Sequence, residues 1–396
     1  MTTPRRVGHN SPHFPFSRQF ALNQFNTNPF LSRFVLSLSQ KRGYAIPAVN
    51  CVTSSSVNAC LEAARKADAP IIIQFSSGGS QFYAGKGLDN TDFKAAIAGA
   101  VSGAFHVRTM AEQYGVPVVL HTDHCAKNLL PWMDGMIEAS ERYYAKHGEP
   151  LFSSHMLDFS EEPMDENLEL CVKYLKRMAK MNMLLEMELG ITGGEEDGVD
   201  NTDVAQEDLY TKPEEVWEVQ KALQEVPNSM FTVAAAFGNV HGVYAPGNVK
   251  LDPEILGASQ VYIAKELGMA EGSQPVSFVF HGGSGSDLKD IRKAITYGVV
   301  KMNIDTDTQW SYWSGIREFE KKYHDYLQTQ IGNPEGEEKP NKKYYDPRMS
   351  IRSAEESTAA RLQQCFEDLQ CVGVLGLGEA PEPSNVLGPR RGALPV

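Results

Sequence analysis

The chain has 396 residues, 42% of them hydrophobic and 22% charged, with a formal net charge of −13. This is globular composition with enough apolar residues for a large core, and an acidic balance without a basic patch argues against a nucleic-acid partner. No apolar run approaches the ~18 residues that a membrane span needs, so we expect no membrane partner. Six cysteines without a Cys-x-x-Cys pair indicate free thiols in a reducing compartment.

The N-terminal stretch is unusual in its charge. No acidic residue precedes Glu62, although several arginines do, and an acid-poor, arginine-bearing start is typical of transit peptides. However, Pro4, Pro12 and Pro15 would break an amphipathic helix there. We therefore expect residues 1–19 to be a flexible extension and the protein to be cytoplasmic, with an organellar location as the alternative.

Short apolar runs recur along the chain and are separated by helix-like stretches. The runs are apolar throughout, as expected of parallel strands that are buried on both faces. Among the intervening stretches, Asp165–Lys180 has one apolar face at helical spacing, and Pro213–Gln224 starts with proline at the first helical position. The predicted strands are Ala45–Asn50, Pro70–Phe75, Val116–Thr122, Leu151–Met156, Met183–Leu189, Met230–Phe237, Val276–His281 and Gly298–Ile304.

This alternation of eight strands with helices predicts an α/β protein with a (β/α)8 TIM barrel. An open, doubly wound sheet is the alternative fold, but no Gly-x-Gly-x-x-Gly follows the first strand, which disfavours its dinucleotide-binding version. We expect one barrel domain over residues 20–375, with a surface loop at Gly332–Lys343. Residues 376–396 carry four prolines and few core residues, so we expect a flexible tail there.

Polar residues cluster where the predicted strands end. In barrel enzymes the carboxyl ends of the strands form the rim that carries the active site. One polar residue there means little, whereas polar residues at every strand end predict an active site. These residues are Asn50, Ser76, His121, Asp123, His124, His155, Asp158, Glu186, Glu188, His241, His281, Asn303, Asp305 and Thr306.

Three of these histidines come from different strands, and a glutamate comes from a fourth. His124, His241, His281 and Glu188 form a credible catalytic zinc site, because imidazole nitrogen suits zinc and a carboxylate can yield its position to substrate. A single histidine at such a place is more often a hydrogen-bonded core residue than a ligand. The four residues taken together favour the metal.

Two glycine-rich segments follow strands that carry these ligands. His281-Gly-Gly-Ser-Gly-Ser286 favours a phosphate site, since barrels commonly bind phosphate after the seventh and eighth strands; a flexible loop is the alternative. Gly193-Gly-Glu-Glu-Asp-Gly198 is either a solvated acidic loop or a mobile lid that delivers a base. Asp123, next to His124, is a candidate proton donor.

Six longer motifs are more specific than these short patterns. They are His121-Thr-Asp-His-Cys-Ala-Lys-Asn-Leu-Leu-Pro-Trp132, Glu188-Leu-Gly-Ile-Thr-Gly-Gly-Glu-Glu-Asp-Gly198, Phe237-Gly-Asn-Val-His-Gly-Val-Tyr244, Phe280-His-Gly-Gly-Ser-Gly-Ser286, Lys301-Met-Asn-Ile-Asp-Thr-Asp-Thr-Gln-Trp310 and Asn341-Lys-Lys-Tyr-Tyr-Asp-Pro-Arg348. Together they resemble the class II fructose-bisphosphate aldolases of the long, dimeric type, and the resemblance covers nearly the whole chain.

The resemblance implies a homodimeric lyase of glycolysis and gluconeogenesis. Such an enzyme reversibly cleaves fructose 1,6-bisphosphate to dihydroxyacetone phosphate and glyceraldehyde 3-phosphate through a zinc-stabilised enediolate. Asp123 would exchange the proton at the aldehyde oxygen, and Glu196 would move the proton at the ketose-phosphate carbon. The ligands of one Zn²⁺ per subunit would be His124, Glu188, His241 and His281.

The resemblance also implies the substrate contacts. Asn303 would contact the substrate and stabilise the enediolate, and Asn50 would contact its hydroxyls. Ser76 and Arg348 of the partner subunit would bind one phosphate. The other phosphate, near a monovalent cation (K⁺ or Na⁺), would be held by Gly242, Gly282, Gly283, Ser284, Asp305 and Thr306.

Several alternatives stay open from the sequence. The substrate could be tagatose or sedoheptulose bisphosphate, since epimers differ by one hydroxyl, and the metal could be Zn²⁺, Co²⁺ or Fe²⁺. Lys301 carries a charge inside a predicted strand and could instead form an imine with the substrate. A catalytically idle phosphosugar-binding protein is the non-enzymatic alternative.

Overall fold

The computed structural model of the protein describes residues 29–190, 193–196, 199–201, 209–241 and 251–376. The predicted extension, residues 1–19, lies outside this part of the chain, and so does the predicted tail apart from Gly376. Both stay predictions, as does the extent of the barrel domain. No helix within the described ranges is long and apolar enough to cross a membrane.

Each predicted strand is present, usually shorter than the apolar run that predicted it. Additional short strands lie in the connections. In chain order the strands are β1 (Ile46–Asn50), β2 (Ile71–Phe75), β3 (Val118–Thr122), β4 (Ser154–Leu157), β5 (Leu184–Leu189), β6 (Gly193–Glu196), β7 (Val199–Asn201), β8 (Phe231–Ala235), β9 (Val240–His241), β10 (Phe278–Phe280), β11 (Val299–Asn303), β12 (Ile331–Asn333) and β13 (Gly336–Pro340).

Helices alternate with the long parallel strands. The two clearest sequence predictions are confirmed, the first with slightly shifted ends. In chain order the helices are α1 (Pro29–Arg42), α2 (Ser54–Ala67), α3 (Ser77–Ala84), α4 (Lys94–Tyr114), α5 (Leu130–His147), α6 (Met164–Met178), α7 (Pro213–Gln224), α8 (Glu254–Glu266), α9 (Leu288–Thr296), α10 (Thr306–Leu327), α11 (Lys342–Tyr345) and α12 (Pro347–Asp368).

The central sheet has eight strands, in the order β3-β2-β1-β11-β10-β8-β5-β4, and every pairing within it is parallel. With its alternating helices it forms a nearly closed (β/α)8 barrel, which confirms the predicted fold over the open sheet. All residues of β2, β3 and β5 are buried. Helices cover one face of each strand and the opposite strands fill the other, so the strands are apolar without alternation.

The barrel closes between β3 and β4 largely through side chains. The Ser153 amide donates to the Leu120 carbonyl at 2.9 Å, and the Leu120 amide donates to Ser153 Oγ at 3.1 Å. Further along the same seam, His121 Nδ1 lies 2.8 Å from Ser154 Oγ, and Thr122 Oγ1 lies 2.7 Å from His155 Nδ1. Polar side chains therefore replace part of the backbone ladder at this seam.

Helix starts place polar residues on the rim of the barrel. Ser76 follows β2 directly and caps α3, because its hydroxyl accepts the Gly79 amide at 3.2 Å. Thr53 caps α2 in the same way by accepting from the Ser56 amide. Each cap ends a βα loop at the carboxyl end of a strand, which is the end that carries the candidate site.

The prediction of a plain surface loop at Gly332–Lys343 is wrong. The antiparallel pair β12 and β13 forms a hairpin there, followed by the start of α11. Most of its residues are exposed, and Asn341, which is fully buried, donates to the carbonyls of Thr329 and Gly332 at 2.9 Å each. Because both faces are solvated, the hairpin leaves no hydrophobic alternation in the sequence.

We predict that Ser153→Ala lowers the free energy of unfolding by about 1–3 kcal/mol, because it leaves the buried Leu120 amide without its acceptor at the seam. Urea unfolding followed by circular dichroism measures the change. Ser102→Ala, at an exposed position on α4, is the matched control and should change stability by less than about 0.5 kcal/mol. Equal effects of the two substitutions would contradict the role of the seam.

Candidate active site

Two histidines from distant parts of the chain meet at the carboxyl ends of the strands. His124 lies two residues past β3, and His281 directly follows β10. Nε2 of His124 is 3.0 Å from Nδ1 of His281, and the rings meet edge to face with centroids 4.8 Å apart. Glu188 in β5 brings a carboxylate oxygen 3.5 Å from the same His281 nitrogen. Three predicted ligands thus converge on one place.

A carboxylate behind each ring sets its orientation. His124 Nδ1 lies 2.8 Å from Asp158 Oδ2, and Asp158 also accepts from the hydroxyl and amide of Ser160. His281 Nε2 lies 2.8 Å from Glu186 Oε1, on the opposite side of the ring from His124. Imidazoles that bind metal commonly donate their other N–H to a carboxylate in this way.

Burial lowers the pKa of His281, although the hydrogen bond to Glu186 acts in the opposite direction. The neutral imidazole is the form that coordinates a metal. Burial is the largest single influence on Asp158 and would raise its pKa, but the hydrogen bond and charge of His124 and the hydrogen bonds from Ser160 together outweigh it and lower the pKa of that carboxyl to about 2. A neutral ligand histidine and an ionised orienting carboxylate are both what a metal site requires.

Asp123 is held beside this cluster by three amide side chains. Its Oδ2 accepts from Asn50 Nδ2 at 3.0 Å and from Gln74 Nε2 at 2.8 Å, and its Oδ1 accepts from Asn303 Nδ2 at 3.2 Å. These donors come from β1, β2 and β11, the strands next to β3 and beyond in the sheet. Asp123 is 1% exposed, so its carboxylate faces the site in a fixed orientation.

Two glycines of the segment after β10, Gly282 and Gly283, lie against their neighbours with no room for a side chain. Gly282 has a φ of 61°, and an added Cβ would overlap the carbonyl oxygen of Val240. An added Cβ on Gly283 would overlap the side chain of Met302. Ser284 Oγ accepts the Asp307 amide at 3.3 Å, which joins this segment to the first turn of α10. Asp305 and Thr306 lie where that helix begins.

Two short strands connect the acidic loop to His241, the third histidine predicted as a metal ligand. β6 pairs with β9 in parallel, with Gly194 opposite His241. Glu196 ends β6 and His241 ends β9, so the backbone brings both predicted residues to one small sheet. The side chains of these two residues, and Gly242 altogether, lie outside what the structure describes.

The donor set that the structure describes fits a divalent metal ion. Ligand atoms of Asp123, His124 and His281 lie within 4.8 Å of one another, and so do those of His124, Asp158 and Glu188. Ligands of a tetrahedral zinc ion with bonds of 2.0–2.1 Å lie about 3.3–3.4 Å apart. The separations of 3.0 and 3.5 Å from His281 Nδ1 to His124 and Glu188 bracket that value.

Arg348 is one of the predicted residues that no described contact joins to this cluster. Its guanidinium is 88% exposed at the start of α12 and pairs with Asp346. Lys301, the candidate imine-forming lysine, is instead bound by both oxygens of Glu186 at 2.7 Å. An imine requires a free neutral amine, so this ion pair disfavours that alternative.

Gln74 is a residue of the site that the sequence patterns did not predict. It is fully buried in β2 and donates to both Asn50 and Asp123. The signal that could have found it is a single amide within the apolar run Ile71-Ile-Ile-Gln-Phe75. Asp158 and Glu186 were noted as polar strand ends, but their pairing with particular histidines depends on contacts between distant strands.

Comparison with known proteins matches this geometry to a family. The family model described as "Fructose-bisphosphate aldolase class-II" matches residues 32–374. The chain belongs to the class II fructose-bisphosphate aldolases. A fructose-bisphosphate aldolase of Haemophilus influenzae is 59% identical over 343 residues, covering 86% of this chain and 94% of that protein. One of Neurospora crassa is 55% identical over 339 residues, covering 85% and 93%.

A solved structure supports the same assignment. The crystal structure of fructose-bisphosphate aldolase from Campylobacter jejuni superposes with a TM-score of 0.78 at 54% identity, covering 86% of this chain and 94% of that one. The members of this family are metal-dependent lyases, and in this aldolase His124 belongs to two groups that could bind a metal, one with Asp123 and His281 and one with Asp158 and Glu188.

We predict that Gly282→Ala in this aldolase weakens metal binding at least about tenfold. Its Cβ would push Val240 away and displace β9, which ends at His241. Titration of the metal-free protein with Co²⁺, followed by absorbance, measures the affinity. Gly285→Ala is the matched control, because Gly285 also has a positive φ, of 79°, but an added Cβ meets nothing within 4 Å. A Gly285→Ala effect as large as that of Gly282→Ala would contradict the prediction.

Proposed function

We propose that this aldolase reversibly cleaves fructose 1,6-bisphosphate to dihydroxyacetone phosphate and glyceraldehyde 3-phosphate in the cytoplasm. The observation that carries the proposal is the convergence of His124, His281 and Glu188 beside the fixed carboxylate of Asp123. A metal-ligand set and an acid–base group at one point are the two requirements of a class II aldol reaction.

The metal would be held by His124, His281 and Glu188, with His241 as the fourth ligand, and Zn²⁺ is the ion that this set of ligands fits. When bound there, it supplies Lewis-acid polarisation of the ketone oxygen and stabilises the negative charge that develops as the carbon–carbon bond breaks. Co²⁺ and Fe²⁺ also suit nitrogen and oxygen ligands. Metal analysis of the protein purified without added metal distinguishes them.

Asp123 would carry the proton of the hydroxyl that becomes the aldehyde. In cleavage its carboxylate removes this proton, and in synthesis it returns the proton to the new alkoxide. The amides of Asn50, Gln74 and Asn303 hold it in one orientation. Asn303 would also donate to the enediolate, since its side chain lies between Asp123 and His281.

Glu196 would move the proton at the ketose-phosphate carbon. It ends β6, and the pairing of β6 with β9 links the acidic loop to the strand of His241. A base on a segment that is anchored to a ligand strand can approach the substrate without disturbing the ligands.

The phosphates of the substrate would bind at two parts of the rim. Asn50 would contact its hydroxyls. Ser76, at the N-terminus of α3, would bind one phosphate together with Arg348 of the partner subunit. The other phosphate would lie near a monovalent cation, K⁺ or Na⁺, at a place where backbone amides and hydroxyls are close together. The residues that would hold it are Gly242, Gly282, Gly283, Ser284, Asp305 and Thr306.

We predict that Asp123→Ala reduces the rate of cleavage by about 10²–10⁴-fold, because it removes a general acid–base group, while zinc still binds. A coupled assay of triose phosphate release and metal analysis measure the two properties. Asp325→Ala, at an exposed position on α10, is the control with unchanged turnover. Turnover of Asp123→Ala near the wild-type rate would refute the assignment.

A chelator decides between this mechanism and its alternatives. Chelation should abolish turnover and added Zn²⁺ should restore it, whereas a Lys301 imine would survive chelation and be trapped by borohydride. An idle binding protein would show no turnover in either state. The same assay with tagatose and sedoheptulose bisphosphates identifies the preferred substrate, and a higher kcat/KM for either would correct the substrate proposed here.

A homodimer is the assembly that we propose. Trp310 and Trp313 on α10 are 59% and 53% exposed, and Met349 on the adjoining α12 is 46% exposed. Large apolar side chains on two packed helices are typical of a surface that another protein covers. Arg348, exposed on the same helix as Met349, would there be free to reach the site of the second subunit.

We predict that Trp310→Glu/Trp313→Glu halves the molar mass measured by light scattering and raises KM, because Arg348 of the partner subunit is lost from the phosphate site. Phe105→Glu is the matched control, since Phe105 is 47% exposed on α4 and should not affect assembly. A wild-type mass equal to that of one chain would overturn the dimer without affecting the proposed chemistry.

A further inference from the structure

We propose that Glu186 and Lys301 are positioning residues that fix His281 in the tautomer with its proton on Nε2, so that Nδ1 is the nitrogen presented to the metal. The inference deepens the proposed function, because it rests on the metal site described above. It assigns the lysine a task other than imine formation.

The shortest contact of the His281 ring with a charged proton acceptor is made by Nε2, not by Nδ1. Nε2 lies 2.8 Å from Glu186 Oε1, whereas Nδ1 lies 3.0 Å from His124 Nε2 and 3.5 Å from Glu188. Glu186 is an acceptor without a proton of its own to donate, because Lys301 holds both its oxygens. A neutral imidazole must therefore place its only proton on Nε2 to satisfy Glu186.

Lys301 fixes the Glu186 carboxylate in place by donating to both of its oxygens at 2.7 Å. Glu186 and Lys301 lie inside the barrel and are 1% and 3% exposed, respectively. A buried carboxylate with no cation beside it would be costly, so the ion pair is what allows an acceptor to be placed behind His281. The ion pair of Glu186 with Lys301 also adds no net charge to a site that already contains Asp123, Asp158 and Glu188.

His121 lies beside the other oxygen of Glu186. Its Nε2 lies 3.6 Å from Glu186 Oε2, and its Nδ1 is fixed by Ser154 across the barrel seam. The carboxylate is thus bordered by Lys301 in β11, His121 in β3 and His281 directly after β10. Groups on three strands leave Glu186 little freedom to turn away from His281.

The two ligand histidines are therefore supported in different ways. Asp158, behind His124, is stabilised by the neutral groups of Ser160 and borders an open cavity of about 470 Å³. Glu186, behind His281, is stabilised by a charged group at the barrel interior. Water could replace lost contacts at Asp158 but has no access to Glu186, so we expect the larger effect on His281.

The first test is made on the metal-free wild-type protein. ¹⁵N-histidine labelling and long-range proton–nitrogen spectra report the tautomer of each ring, and the His281 signal is assigned by its loss in His281→Gln. We expect the Nε2–H form. A proton on Nδ1 of His281 in the metal-free protein would overturn the proposal, without any dependence on whether a variant folds.

The second test compares two neutral replacements of the ion pair. In Glu186→Gln/Lys301→Met the amide oxygen can still accept from His281 while its NH₂ group faces Nε2 of His121. In Glu186→Leu/Lys301→Met no acceptor remains. We expect the first variant to bind Co²⁺ within about threefold of wild type, and the second to bind it about 10–100-fold more weakly and with a mixed His281 tautomer, as for other lost outer contacts of metal ligands.

A merely structural ion pair would give a different result. Glu149→Gln is the control, because it removes the carboxylate partner of Arg108, a buried cation on α4 away from the site. It should lower thermal stability and leave Co²⁺ affinity and the His281 tautomer unchanged. Equal Co²⁺ affinity in the two neutral variants would overturn the proposal. Both readouts are independent of turnover, so a failure of the proposed aldolase activity would be recognised separately.

Discussion

The contact between His124 and His281 is the constraint on which the site depends. The two residues are 157 positions apart, and their ring nitrogens lie 3.0 Å from each other. The imidazoles of His124 and His281 share the site with four carboxylates and a lysine, and buried polar groups of this kind are stable only where each has a partner. Some strands therefore supply both a functional group and a group that fixes a residue of another strand: β5 carries Glu188 and Glu186, and β11 carries Asn303 and Lys301.

The need of each buried polar group for a partner explains why one end of the barrel is apolar and polar residues are concentrated at the other end. Lower parts of the strands, such as Ile71–Ile73 and Val118–Leu120, are apolar and fully buried. The polar groups begin at Gln74 and His121, which pair directly across β2 and β3. The apolar part supplies the hydrophobic stabilisation of the fold, so the upper part can hold polar groups selected for chemistry.

The sequence predicted more of the fold than of the contacts within the site. Apolar runs such as Ile71–Phe75 identify strands because their burial on both faces is a local property of the sequence. The ligands were found because strand ends share one rim. Gln74, the Glu186–Lys301 pair and the His121–Ser154 seam depend on register between strands, which no local pattern encodes. The exposed β12–β13 hairpin was missed for the opposite reason, since nothing in it is buried.

An acidic protein that takes a doubly phosphorylated substrate needs local attraction for the phosphates. With a net charge of −13, the long-range field opposes the approach of an anion. The barrel can supply this local attraction, because the helix that follows each strand begins at the rim of the barrel. α3 begins after Ser76, and α10 begins at Thr306, where the Asp307 amide donates to Ser284 Oγ. Helix N-termini attract phosphate only at short range, so in the function proposed above these two places would orient the substrate across the metal.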